Sequence, residues 1–156
     1  MTAVDARLTR LMRNHGLTLL RYTLAIVFIW FGALKITGHT PVTDLVASTV
    51  YWLPAQLFVP FLGAWEVLVG VLLILAVAPR TTLALFWLQL AGTFLVLVVR
   101  PEVAFQGGNP LLLTVEGEFV IKNLVLVASG IVLGGALHRR RRSAEFRDAV
   151  RADHNL

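Results

Sequence analysis

The stretch Leu57-Phe58-Val59-Pro60-Phe61-Leu62-Gly63-Ala64-Trp65-Glu66-Val67-Leu68-Val69-Gly70-Val71-Leu72-Leu73-Ile74-Leu75-Ala76-Val77-Ala78 holds one charge, Glu66, in 22 residues. As a helix rising about 1.5 Å per residue, it crosses a hydrocarbon layer about 30 Å thick. It does not alternate apolar and polar residues, as a strand of a membrane barrel would. A carboxylate in such a segment costs several kcal/mol by the lower estimates, about 2.5–3.5, unless it faces a bundle interior and finds partners.

Three further runs read the same way: Leu17–Ile36, Leu83–Val99 and Phe119–Leu137. Hydrophobic residues make up 57% of the 156-residue chain, above the roughly 45–50% of soluble domains. The expected architecture is all-α: an integral membrane four-helix bundle. Residues 1–16 form a cytoplasmic amphipathic segment, 17–137 the transmembrane domain and 138–156 a basic cytoplasmic tail. Leu8, Leu11 and Met12 can share one face of the first segment and lie on the membrane surface. Between spans one and two, Val42, Leu45, Val46, Val50 and Leu53 keep near-helical spacing. A short interfacial helix ending before Pro54 is expected there, with Tyr51 and Trp52 at headgroup level.

Charge orients the bundle. Arg7, Arg10, Arg13 and Arg21 precede or enter span one, Arg80 lies in the turn after span two, and Arg139–Arg142 follow span four. The other two loops carry Arg100 against Asp44, Glu102, Glu116 and Glu118. The bias of basic residues places both termini in the cytoplasm of a bacterial-type inner membrane. The run Arg139–Arg142 abuts a span, so it reads as an anchor on anionic lipid rather than a nucleic-acid patch. The absence of cysteine excludes disulfides, thiol chemistry and Cys-ligated clusters within the chain. The scattered His15, His39, His138 and His154 do not suggest a shared metal site, and there is no phosphate-binding loop or hydrolase elbow.

With this topology, Lys35, Glu66, Gln89 and Lys122 all fall in the outer half of the bundle, each on a different span. Glu66 and Lys122 are the candidate catalytic residues, Glu66 as a proton acceptor or ligand anchor. Lys35, Gln89, Asn123 and Glu118 are candidate ligand-binding residues, and Trp30 and Trp65 could flank a planar ligand. Two Lys near one Glu would leave a positive pocket suited to an anionic or quinone-like head group. The competing reading is a buried ion pair that fixes helix register. Gln89 and Thr93 share a face and suit hydrogen bonding between helices. Gly130 and Gly134 suit close packing within the bundle or in a homo-oligomer.

The strings Trp30-Phe31-Gly32-Ala33-Leu34-Lys35-Ile36-Thr37, Leu62-Gly63-Ala64-Trp65-Glu66-Val67-Leu68-Val69-Gly70 and Gly117-Glu118-Phe119-Val120-Ile121-Lys122-Asn123-Leu124 carry a family resemblance. Together the chain resembles the DoxX-like superfamily, especially its YkgB/RclC branch. The resemblance implies a four-helix membrane protein linked to quinone-coupled sulfur oxidation, terminal oxidases or resistance to reactive chlorine species. It also implies a membrane redox enzyme or respiratory complex as partner. Lys35, Glu66, Glu118, Lys122 and Asn123 match its motifs. The related bundle of vitamin K epoxide reductases uses dithiols, a chemistry this chain lacks. The expected function is a redox-accessory subunit that binds a quinone or a small oxidised or sulfur species. The alternatives are a non-catalytic assembly subunit and a small anion or weak-acid transporter.

Overall fold

The computed structural model describes residues 3–136. The expected basic tail, with Arg139–Arg142, His138 and His154, lies outside the described residues. Among those described, the chain is all-α, and four helices are long and apolar enough to cross a membrane.

Helix α1 (Ala3–Ile36) runs without a break through Gly16, so the expected amphipathic segment is the first part of span one's own helix rather than a separate element. Its end is set by Gly38, at φ 73°. The His39 amide donates to the Leu34 carbonyl at 2.9 Å and the Gly38 amide to Lys35 at 3.4 Å. This is the Schellman ending, in which a left-handed residue lets the chain turn back on the last carbonyls. Helix α2 (Thr43–Thr49) follows, shorter than the expected segment: it stops at Val50 and turns until Pro54.

Helix α3 (Ala55–Leu75) and α4 (Pro79–Val99) are joined by a tight turn in which Ala76 and Ala78 both take positive φ. Proline at the start of α4 suits a position whose amide has no helical partner. Helix α5 (Pro101–Ala104) and a short 3-10 turn (Gln106–Gly108) organise the expected long loop. Span four is one helical run, Val115–Ala136, with a single turn residue, Asn123, that divides α6 (Val115–Lys122) from α7 (124–136); the Thr114 hydroxyl caps α6 by accepting from the Gly117 amide at 3.0 Å.

The most extensive helix pair is α1 with α3. Glycines make it close. A Cβ on Gly32 would lie 2.5 Å from the Gly63 carbonyl oxygen, and one on Gly70 would lie 2.8 Å from the Ala25 carbonyl oxygen. Small residues allow such approach where water supplies no hydrophobic drive between helices. Gly130 sits against the Phe86 and Trp87 rings, and Gly134 faces Leu83. The pair therefore packs α7 on α4 within the bundle.

Two apolar clusters result. The first joins Leu24, Ala25 and Phe28 of α1 to Val69 and Leu73 of α3 and to Phe86 and Leu90 of α4. The second, at the α2 end, joins Leu45, Val96 and Val120. Large apolar side chains such as Leu57, Leu75, Leu88 and Val98 point outward, as residues facing lipid would.

Candidate functional site

Three of the four membrane-embedded polar residues meet. Lys35 on α1 is 6% exposed, Glu66 on α3 8% and Gln89 on α4 9%. The Lys35 Nζ donates to Glu66 Oε2 at 2.6 Å, and the Gln89 Nε2 donates to Glu66 Oε1 at 2.7 Å. Each carboxylate oxygen thus has its own donor, one from each neighbouring helix. The glycines explain how the pair forms. A Cβ on Gly63 would lie 2.8 Å from Lys35 Cβ, so the missing side chain lets the stem of Lys35 pass over α3 and reach Glu66.

The triad lines a cavity of about 360 Å³ beneath α2. Phe28 and Leu90 belong to its wall and to the first apolar cluster; Leu45, Val96 and Val120 belong to its wall and to the second. The cavity therefore lies between the two clusters. Phe31, Phe58, Phe61 and Phe119 add aromatic surface, with the Phe31 and Phe119 rings 6.4 Å apart. An apolar chamber with a few convergent polar groups is the general form of a small-molecule site.

The remaining expected residues are arranged differently. Lys122 does not reach Glu66. Its Nζ donates to Glu118 Oε2 at 3.3 Å across one helical turn, with side chains 76% and 57% exposed. The physical reason is helix phase. Gly117 and Val120 form the buried face of α6, and Lys122, two residues past Val120, points about 200° away. The positive pocket expected from two lysines is instead one ion pair with an amide. Asn123 does border the cavity, but its Nδ2 donates to Phe119 along its own helix at 3.1 Å.

Trp30 is 66% exposed and does not border the cavity. Trp65 does, and its Nε1 donates to the Leu85 carbonyl at 3.3 Å. The place foreseen for Trp30 is filled by Phe31, which lies four residues before Lys35 and so on its face of α1. That spacing was available in the sequence. Thr93 bonds within its helix, to the Gln89 carbonyl at 3.1 Å, so Gln89 alone makes the bond between helices. His39 is exposed.

One contact had no signal in the sequence. Arg100 Nη1 donates to the Ser48 carbonyl at 2.9 Å, and its Nε bonds Glu102. This ties α2, which covers the cavity, to the start of α5.

No family model, curated protein or solved structure matches this chain.

Proposed function

We propose that this is a membrane redox-accessory protein that holds a quinone, or a small oxidised or sulfur-containing species, in the cavity beneath α2. The observation that carries the reading is a buried, charged Lys35–Glu66 pair set in the wall of an aromatic, apolar chamber. The Lys35 ammonium has three donors and uses one on Glu66. A carbonyl or oxyanion in the cavity would take another. Glu66 would balance or move the proton that accompanies reduction of such a ligand. About 360 Å³ lies at the lower end of the 300–1,000 Å³ range for ligand sites. It suits a head group whose tail leaves toward lipid. Electrons would come from a partner membrane enzyme, since no side chain here carries them.

The DoxX-like resemblance supports this reading through the strings around Lys35 and Glu66. Lys122 and Glu118, being outside the cavity, have no role in it. The basic residues in the α3–α4 turn and ahead of span one support an inner-membrane protein with cytoplasmic termini and an outward-facing cavity.

A second reading is favoured by one observation: both Glu66 oxygens are already satisfied within the bundle. The triad would then be a helix-registering network in an assembly subunit. Transport is disfavoured, because Leu24, Ala25, Phe28, Val69 and Leu73 close the bundle below the triad.

The test is mass spectrometry of small molecules bound to protein purified in mild detergent. Glu66→Ala alone leaves Lys35 unpaired and should cost about 3–5 kcal/mol of stability, so it confuses folding with binding. Lys35→Met/Glu66→Leu removes both charges and should leave the bundle folded. The redox reading expects a quinone-class ligand at one per chain in the native protein, lost in the double variant. An unliganded native protein that co-purifies with a stoichiometric partner, unaffected by the double variant, would favour the assembly reading.

A further inference from the structure

At the opposite end of the bundle from α2 lies a second cavity, of about 250 Å³. It sits where all four long helices meet: Leu17 and Arg21 of α1, Leu73 of α3, Thr82 and Leu83 of α4 and Leu133 of α7 line it. Its walls are otherwise apolar apart from Thr18 and Thr82. Arg21 is the charged member. Its guanidinium lies 4.9 Å from the Tyr22 ring centroid. Its Nε is buried and has no hydrogen-bond partner among the described residues. The hydroxyl of Thr82, which donates to the Val77 and Ala78 carbonyls at 3.0 and 3.2 Å, is not a partner of that Nε.

Depth makes this arrangement costly without an occupant. Arg21 is 14 residues before Lys35 on one continuous helix, about 21 Å along its axis. It faces the level of the α3–α4 turn, where the hydrocarbon gives way to head groups. A guanidinium is never deprotonated, and an unmet donor at the edge of hydrocarbon retains its desolvation cost. An anion on the Arg21 fork would satisfy the donor. The apolar walls behind it would take a hydrocarbon chain. Basic pockets between membrane helices are known anion-binding places for lipid head groups.

We propose that this cavity binds one anionic phospholipid, with its phosphate on Arg21 and part of an acyl chain against Leu17, Leu73, Leu83 and Leu133. The site is separate from the triad cavity, since the first apolar cluster lies between them, and it does not depend on the redox reading. Bound there, the lipid would pin α1, the α3–α4 turn and α7 together at the end of the bundle opposite α2.

The experiment is native mass spectrometry of the full chain reconstituted in vesicles of mixed phosphatidylglycerol and phosphatidylcholine and then taken into mild detergent. The native chain should retain one phosphatidylglycerol. Arg21→Gln should weaken retention on the order of tenfold, the worth of one charge-assisted hydrogen bond. Arg21→Lys keeps the charge without the Nε donor and should fall between the two. Leu83→Trp, which fills the cavity and leaves Arg21 in place, should expel the lipid. A circular dichroism melt of each variant separates lost binding from lost folding. Equal retention by folded Arg21→Gln protein would overturn the proposal. So would loss of the lipid only on neutralising Arg139–Arg142, which would put it on the tail. Inorganic phosphate that stabilises the native chain in a lipid-free melt as much as phosphatidylglycerol does would replace the lipid with a free anion and overturn the acyl half.

Discussion

Gly117 is the most tightly packed of the glycines among the described residues. A Cβ there would overlap the Ala104 carbonyl oxygen, a backbone atom that cannot swing aside. Gly134, on the same span, meets nothing nearer than Leu83 at 3.6 Å, an ordinary contact. Two identical substitutions should therefore differ in outcome. Gly117→Ala should destabilise the protein by about 1–3 kcal/mol, the usual cost of overpacking. Gly134→Ala should be close to neutral, with a gain in helix propensity of up to about 1 kcal/mol. Thermal melts of the two variants in one detergent check this. Equal melting temperatures would mean that α6 does not pack on α5 as described. Gly63 and Gly117 belong to the same strings as Glu66, Glu118 and Lys122, whose charges mark those strings in the sequence. In the bundle the glycines matter as much, because they set how near two backbones come.

Helix α2 has seven residues, too few to be stable alone in water. It is held by Leu45 in the second apolar cluster and by the Arg100 bond to the Ser48 carbonyl. Arg100 is itself held by Glu102, whose carboxyl the Arg100 hydrogen bond keeps below the usual carboxylate range, helped by a backbone amide. The sign follows from that direction. A carboxyl depressed on folding adds stability that is present above its unfolded value and is lost as pH falls through the folded one. Acid should therefore loosen the tie between α2 and α5, and Glu102→Gln should mimic acid at neutral pH. Hydrogen exchange at Val50, whose amide bonds Val46 at 3.1 Å, reports it. Arg100→Gln should speed that exchange at every pH, whereas the native chain should show it only in acid. Exchange that ignores both pH and Arg100 would leave α2 held by apolar contacts alone. If α2 lifts, the triad cavity opens, so the same variants should change how fast a ligand of the proposed kind enters.

At the scale of the molecule, polarity is split between two ends. The α2 end carries the triad cavity and the loop acids; the other end carries Arg21, Arg80 and the last described turn of α7. The chain lacks cysteine, so a single introduced thiol reports its own side of the membrane. Leu111, 89% exposed at the α2 end, and Arg80, exposed at the opposite end, are suitable positions. Leu111→Cys should react with an impermeant maleimide from outside intact cells, and Arg80→Cys only after the membrane is opened. The reverse pattern would invert the bundle and turn the triad cavity toward the cytoplasm. An all-helical fold, four helices long and apolar enough to cross a membrane, and Lys35, Glu66 and Gln89 as polar groups set in apolar runs were legible in the chain, because apolar length and an isolated polar residue are local properties that a single segment displays. Which polar residues meet was not legible. Lys122 reads much like Lys35 in sequence, yet one is buried on Glu66 and the other pairs outward with Glu118. Rotation decides between them: α6 turns Gly117 and Val120 inward, and in a helix whose outer surface faces lipid the outside is nearly as apolar as the inside, so hydrophobic pattern hardly marks the buried face. The tie that Arg100 makes was hidden for a related reason. Its partner, the Ser48 carbonyl, belongs to a distant segment, and only the packing of α2 against α3 and α4 brings the two within reach.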